Sequence, residues 1–354
     1  MNLDPVTPNR VSDSDFLLAY FYINSRINPV FEERNMKKFL PLIVSVSLII
    51  AAIVLGFVKG IVLDSIQRKT LNILLIICAA SALYCFTAGE LSRNNSQMDK
   101  LWSVLPIVYV WVIAALGEFR WRLIIIAIIV TLWGVRLTYN FAKKGAYSLK
   151  FWSGEEDYRW VYLRKQKGFE NKFVWAIFDL LFISVFQNVV VLGITLPALA
   201  IMSSDAPLSA LDIGAGLLMA GALFYEVIAD RQQNKFQTKK YEYLNSGMKL
   251  EDLPEPYNRG FNITGLWARS RHPNYIGEQM IWISLYLFVI SGGVAHFALF
   301  HWTFIGAGLL MLIFVGSSRM AEGISILKYK EYSEYQRQVF KYLPIKKYKS
   351  EATK

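Results

Sequence analysis

The chain has 354 residues, 54% of them hydrophobic and 15% aromatic, with a formal net charge of +11. A mean hydropathy of +0.33 excludes an ordinary soluble domain, and several runs approach the ~20 apolar residues that cross a bilayer. The positive charge does not point to nucleic acid, because it lies in loops between apolar runs, where membrane topology and anionic headgroups account for it.

Residues 1–38 form a polar segment with a short aromatic patch, Phe16 to Ile23, suited to an interface. Met36-Lys37-Lys38 then leads into an apolar run over 39–58. The run is too long for a signal peptide and lacks a small-x-small cleavage site, so it reads as a first transmembrane helix. The same feature makes Met36 a conceivable start and residues 1–35 dispensable. Further spans are expected at 70–88, 101–117, 121–141, 172–202, 211–229, 275–291 and 301–318. The run at 172–202 exceeds one crossing and is expected to tilt, or to bend before Pro197. Cys78 and Cys85 share one helix face about two turns apart, too far for a disulfide. They read as core residues, and no metal site is expected.

The expected fold is therefore all-α: a polytopic membrane helix bundle of about 8 spans, with 7–10 compatible with the pattern. Its parts are the segment 1–38, N-terminal spans over 39–100, a membrane domain over 101–345 and a basic tail, 346–354. Lys and Arg number eight in 142–172, eight in 230–274 and nine in 316–354, out of 38 in all, while 203–210 and 292–300 contain none. The positive-inside rule places the basic loops and both termini in the cytoplasm, of an endoplasmic reticulum membrane if the source is eukaryotic or an inner membrane if bacterial. Lys59, Arg68, Lys69, Arg120 and Arg122 then fall on the external side, against the rule.

Polar groups at membrane depth are costly and mark sites or helix contacts. Arg136 ends the fourth span, either snorkelling or facing a site. Glu226 and Asp230, with Gln233 on the same face, repel each other unless they meet Arg136, Arg271 or a ligand's hydroxyls. Asp179, Gln187 and Asn188 line the same cavity or bind neighbouring helices. The segment 150–165 carries Glu155, Glu156, Asp157, Tyr158, Arg159 and Trp160, and reads as a solvated face or part of a site. Near the C-terminus Arg319 and Glu322 stand three apart, and Tyr329, Tyr332 and Tyr335 follow at helical spacing, as in a tyrosine-anchored interfacial helix. His296 and His301 read as structural. The densest polar stretch is G-L-W-A-R-S-R-H-P-N-Y-I-G-E, 265–278. Pro273 suits the first turn of a helix, which places Arg271 and His272 at a helix mouth that favours an anion. Asn274, Tyr275 and Glu278 crowd the same turns, beyond what a basic topological cap requires.

Four motifs in this order resemble the steroid 5α-reductase C-terminal-domain superfamily: W-G-V-R-L at 133–137, G-E-E-D-Y-R-W at 154–160, F-Y-E-V-I-A-D-R-Q at 224–232 and the stretch at 265–278. The resemblance covers about 100–345, including K-Y-K-E-Y-S-E-Y-Q-R at 328–337; residues 1–100 carry no family signal. It implies NADPH-dependent reduction of a conjugated C=C bond in an apolar 3-oxo lipid, such as a steroid, drawn from the bilayer. Carried over by position, Asp230, Arg271, His272, Asn274 and Tyr275 contact the dinucleotide, with Glu226 beside them. Arg136, Asp157, Arg159 and Tyr329 stand behind these or reach a phosphate, for which arginine's planar fork is suited. No G-x-G-x-x-G follows a strand, so the cofactor pocket is expected between helices and is not a Rossmann fold. Steroid 5α-reductases proper grip the 3-oxo group with a Glu–Tyr pair. This chain offers Glu90 or Glu118 and Tyr84 or Tyr109, and no motif selects among them. The R-H-P-x-Y element is shared with isoprenylcysteine carboxyl methyltransferases, so methyl transfer from S-adenosylmethionine is the competing enzymatic expectation. A non-enzymatic, lipid-binding membrane protein is the third. The sequence leaves the oligomeric state open.

Overall fold

The computed structural model describes residues 62–294 and 301–349. The expected segments 1–38 and 39–58, His296 and the tail beyond 349 lie outside the described residues. Within them the chain is helical, with no strand.

α1, Ser65–Ser92, starts on a capping box in which the Asp64 carboxylate accepts from the Gln67 amide at 2.8 Å, and it ends at Arg93 in the left-handed region. The next span is broken into α2, Gln97–Trp102, and α3, Leu105–Leu116, because Pro106 removes the amide that would continue the first helix. α4 is Trp121–Ala142, and α5, Tyr158–Arg164, is capped by Asp157. The long apolar run begins as α6, Lys172–Phe178, passes through a π-helical stretch, Asp179–Phe186, and resumes as α7, Gln187–Gly193. It breaks before Pro197, as expected, and α8 spans Leu196–Ile201. α9, Ala210–Asn245, runs well past the expected end at 229, since nothing between there and Gly247 stops a helix leaving the apolar zone. α10 is Pro273–Ser291, α11 Phe304–Lys328 and α12 Tyr332–Gln338.

Six helices, Ser65–Ser92, Gln97–Leu116, Trp121–Ala142, Lys172–Ile201, Ala210–Asn245 and Phe304–Lys328, are long and apolar enough to cross a membrane. The protein is a polytopic integral membrane helix bundle. Of the other two expected spans, 39–58 lies outside the described residues and 275–291 forms α10. α10 is not apolar enough to count among the six, because Asn274, Glu278 and Gln279 occupy its first turns. It is an inner helix, with Ile281, Trp282, Leu285, Phe288 and Val289 all buried, and α9 is its main partner.

Small residues set the helix crossings, as expected where lipid tails remove the hydrophobic drive for association. A Cβ on Gly306 of α11 would overlap the Gly193 carbonyl of α7. Since backbone cannot yield as a side chain can, Gly306→Ala is expected to lose stability at the upper end of the ~1–3 kcal/mol typical of overpacking. Gly308→Ala, where a Cβ meets nothing within 4 Å, should leave the detergent melting temperature unchanged or raise it.

The end of the bundle opposite the basic loops holds Arg122 and Asp212, with side chains 7% and 1% exposed and bonded at 2.7 and 3.0 Å. Arg120 pairs with Asp205 at 2.9 Å. These two arginines are neutralised locally, which is the physical reason they can sit against the trend of the other basic segments.

Candidate functional site

α4 turns Arg136 toward the face of α9 that carries Glu226 and Asp230. Its guanidinium lies 2.7 Å from Glu226 Oε1 and donates to Asp230 Oδ2 at 2.8 Å. The arginine is therefore ion-paired between helices rather than snorkelling, with its side chain 13% exposed. α10 adds Glu278, which accepts from the indole N–H of Trp133 at 2.6 Å and of Trp282 at 2.9 Å. The two rings meet edge to face at 5.0 Å. α9 and α10 approach this closely because residue 277 is glycine: a Cβ there would lie 2.8 Å from Glu226 Cβ. Asn274 reaches Asp230 by a side-chain hydrogen bond. Gly265, at φ +59°, lays its loop on α9, where Gln232 Oε1 accepts from the Leu266 amide at 2.8 Å. Three buried acceptors at this place, Glu226 Oε2, Gln233 Oε1 and Asn274 Oδ1, have no hydrogen-bond donor among the described residues.

Arg271 and His272 converge on a carboxylate absent from the expected site, Glu322 of α11. Arg271 Nε lies 3.0 Å and His272 Nε2 2.9 Å from Glu322 Oε1, while Gln336 donates to Oε2 at 2.9 Å. The C-terminal segment closes over them. The Arg271 and His272 amides donate to Phe340 and Lys341 carbonyls at 3.1 and 3.0 Å, and the Tyr348 amide to Ala268 at 2.7 Å. Tyr275 stacks on His272, with centroids 5.0 Å apart. Tyr332 and Tyr335 do not anchor an interfacial helix: both are buried against Phe261, in a small aromatic core with Val339 and Tyr348. They cap the polar loop instead of facing lipid.

Burial holds the His272 imidazole below its ordinary range, outweighing the pull of Glu322 upward. The folded state thus favours the neutral ring. Its contribution to stability is fully present above about pH 6.5, the unfolded value, and is lost as pH falls below that through the folded value. The melting temperature of the wild type should drop across that window more steeply than that of His272→Gln.

Asp157 and Arg159 form a third group with Asp99 of α2. Arg159 Nε donates to Asp157 at 2.8 Å and its Nη2 to Asp99 at 3.1 Å, and the Trp160 indole donates to Asp99 at 2.7 Å. Burial pushes the Asp157 carboxyl up, but the Arg159 charge and bonds outweigh it and leave it below the usual carboxylate range. The loop is pinned from beneath by buried Lys100, whose ammonium donates to the Phe151 and Ser153 carbonyls, both at 2.7 Å. Arg159 acts electrostatically on Tyr275, and Lys144 on both Asp157 and Asp230, so the three groups lie near one another.

Tyr329 lies apart from these groups. Its ring packs on Gly260 and Phe261 and lies 5.7 Å from the buried Lys240 ammonium. Asp179 and Asn188 bind helices together: Asn95 donates to Asp179 at 2.8 Å, and Asn188 to the Ser184 carbonyl at 2.7 Å. No Glu–Tyr pair forms from the expected candidates. Tyr84 donates to Gln97, Tyr109 is fully buried beside Cys78, and Glu90 and Glu118 are exposed.

Sequence reasoning counted Glu278 in the polar cluster at 265–278 without giving it a role, and did not place Glu322, Asp99, Trp133 or Trp282 in the site. Glu278 and Trp133 sit inside motifs and Glu322 three residues from Arg319, whereas Asp99 carries no local signal. A family model described as "Protein of unknown function (DUF1295)" matches residues 85–339. The chain is also 35% identical over 266 residues to "Uncharacterized protein C594.04c" of Schizosaccharomyces pombe, covering 72% of this chain and 73% of that one. No solved structure matches.

Proposed function

The chain belongs to the DUF1295 family, and we propose that it is an NADPH-dependent reductase of a conjugated C=C bond in an apolar 3-oxo lipid, such as a steroid, taken from the bilayer. The observation that carries this reading is the pair of partnerless buried amide acceptors, Gln233 Oε1 of α9 and Asn274 Oδ1 of α10. An unsatisfied buried acceptor is costly, and a ligand rich in hydroxyl and amide donors relieves it. Ribose hydroxyls and a nicotinamide carboxamide are such donors. Arg159 and Arg271, each paired with a carboxylate, would stand with Lys144 at the mouth of the proposed pocket and offer cationic donors to phosphates. The residues present thus fit the dinucleotide, which when bound supplies the hydride. The chain's own part is to orient that cofactor, to exclude water and to deliver a proton. The resemblance to steroid 5α-reductases supports the lipid enone as substrate, and the charge distribution supports basic loops and termini in the cytoplasm.

Thermal melting of detergent-solubilised protein tests this. NADPH at a hundredfold excess over its Kd should stabilise the fold by about 2.7 kcal/mol, and Arg271→Ala, while remaining folded, should lose the response. An absent NADPH response overturns the reading. A response to S-adenosylmethionine alone favours the methyltransferase, and silence to both favours a lipid-binding membrane protein.

A further inference from the structure

We propose that Glu226 and Glu278 hold one proton between them and that Glu226 hands it to the substrate. This rests on the reductase reading above and names the proton source that reading requires. The two carboxyl groups come from different helices, α9 and α10, and act electrostatically on each other. They are brought together by the glycine at 277, and both residues are 4% exposed.

The charges around them do not balance two carboxylates. Arg136 of α4 is the guanidinium acting on both, and it already lies against both Glu226 Oε1 and Asp230. Glu278 has no cation within ion-pair distance among the described residues; its oxygens take neutral indole donors, from Trp133 of α4 and Trp282 of α10. Glu278, Arg136 and Asp230 are the charged groups that act most strongly on Glu226. Two neighbouring buried carboxylates served by one over-committed cation repel strongly, and one proton between them removes both the repulsion and the deficit. Glu226 Oε2, away from the arginine and without a donor, is the oxygen at which such a proton sits.

The pair also supplies what the chemistry consumes. Reducing the double bond consumes a hydride and a proton: the β-carbon takes hydride from the reduced nicotinamide, the α-carbon takes the proton, and the π bond is lost as two C–H bonds form. Oxidised cofactor leaves, and the carboxylate on Glu226 regains its proton from water. Glu278, fixed by two indoles, is the positioning residue: it holds the proton on its neighbour without touching the substrate.

Infrared spectroscopy of the full-length protein in detergent at neutral pH tests the shared proton without any cofactor. A carboxylic-acid C=O band is expected, shifted by carboxyl-¹³C glutamate labelling and lost in both Glu226→Gln and Glu278→Gln. The labelling arm works on wild type and so survives a variant that fails to fold. A folded wild type with no label-sensitive band overturns the proposal, as does a band that persists in both variants. Delivery is read from turnover at saturating NADPH: Glu226→Gln should lower kcat about 100-fold or more, and unaltered kcat overturns it. Loss of the NADPH response with the band intact would instead sink the reductase reading alone.

Discussion

Arg136→Met is expected to cost about 3–5 kcal/mol, the penalty for removing one partner of a buried ion pair. The side chains concerned are 13% exposed for Arg136, 5% for Glu226 and 21% for Asp230, so water cannot take over the arginine's role. The loss should appear as a lower melting temperature in detergent. The melting shift induced by NADPH should vanish with it, since the face of α9 that borders the mouth is no longer held to α4. These two effects separate in a triple variant, Arg136→Met with Glu226→Gln and Asp230→Asn. Removing the charges together eliminates the uncompensated carboxylates, and stability should recover by most of the lost amount. The cofactor response should not recover, because the charges that arrange the mouth are gone. If the triple variant regains both, Arg136 is a structural tie and the site lies elsewhere.

A matched change at the other end of the bundle sharpens this. Arg122→Met breaks a pair at least as buried, with Asp212 1% exposed, and should cost a similar amount. Because Arg122 sits at the far end of α4 from Arg136, cofactor response in the folded fraction should be kept. Equal stability loss with unequal loss of response is a contrast that detergent damage cannot mimic.

The contrast between the two arginines also shows what a linear sequence can display. Hydrophobic runs gave most spans to within a few residues, because bilayer thickness imposes a length that apolar composition must follow. Helices that run on past the apolar zone, as α9 does to Asn245 and α11 to Lys328, were cut short in the reading at the first charges. Helix continuation in water is set by the next stop signal and not by hydropathy: α11 runs on through Gly323 and ends only before Tyr329. The meeting of Arg136 with Glu226 and Asp230 was legible, since i and i+4 carboxylates at depth demand a cation. Glu278 and Glu322 were less so. A carboxylate whose partners are two indoles, or an Arg–His dipeptide some fifty positions away, has no periodicity to announce it. Tyr332 and Tyr335 show the reverse error. Tyrosines at helical spacing beside basic residues suit a membrane interface and a small buried core equally well, and only the fold of the 257–272 loop decides between them.

That small core makes Glu322→Ala the second change of large expected effect. Glu322 is 7% exposed in its side chain and joins three segments: α11 on which it sits, the Arg271–His272 turn before α10, and the C-terminal segment through Gln336 and Lys341, the latter at 3.8 Å. Removing it leaves the Arg271 guanidinium buried without its carboxylate, for which about 3–5 kcal/mol is expected. The effect should also be local before it is global. The segment beyond Tyr329 is held to the loop by this carboxylate, by backbone bonds at Phe340 and Lys341, and by aromatic packing. Limited proteolysis should therefore cut Glu322→Ala between 330 and 349 before the helices are attacked, while wild type resists there. Glu322→Gln keeps an acceptor of the same shape and should lie between the two. Tyr335→Phe tests the other half of the clasp: it deletes the hydroxyl that donates to the Trp267 carbonyl but keeps the ring among Phe261, Tyr332 and Tyr348. Its cost should be about 1 kcal/mol, with the segment still protected. If Tyr335→Phe opens the segment as readily as Glu322→Ala, the clasp is made by hydrogen bonds to the loop backbone and not by the carboxylate that Arg271 and His272 share.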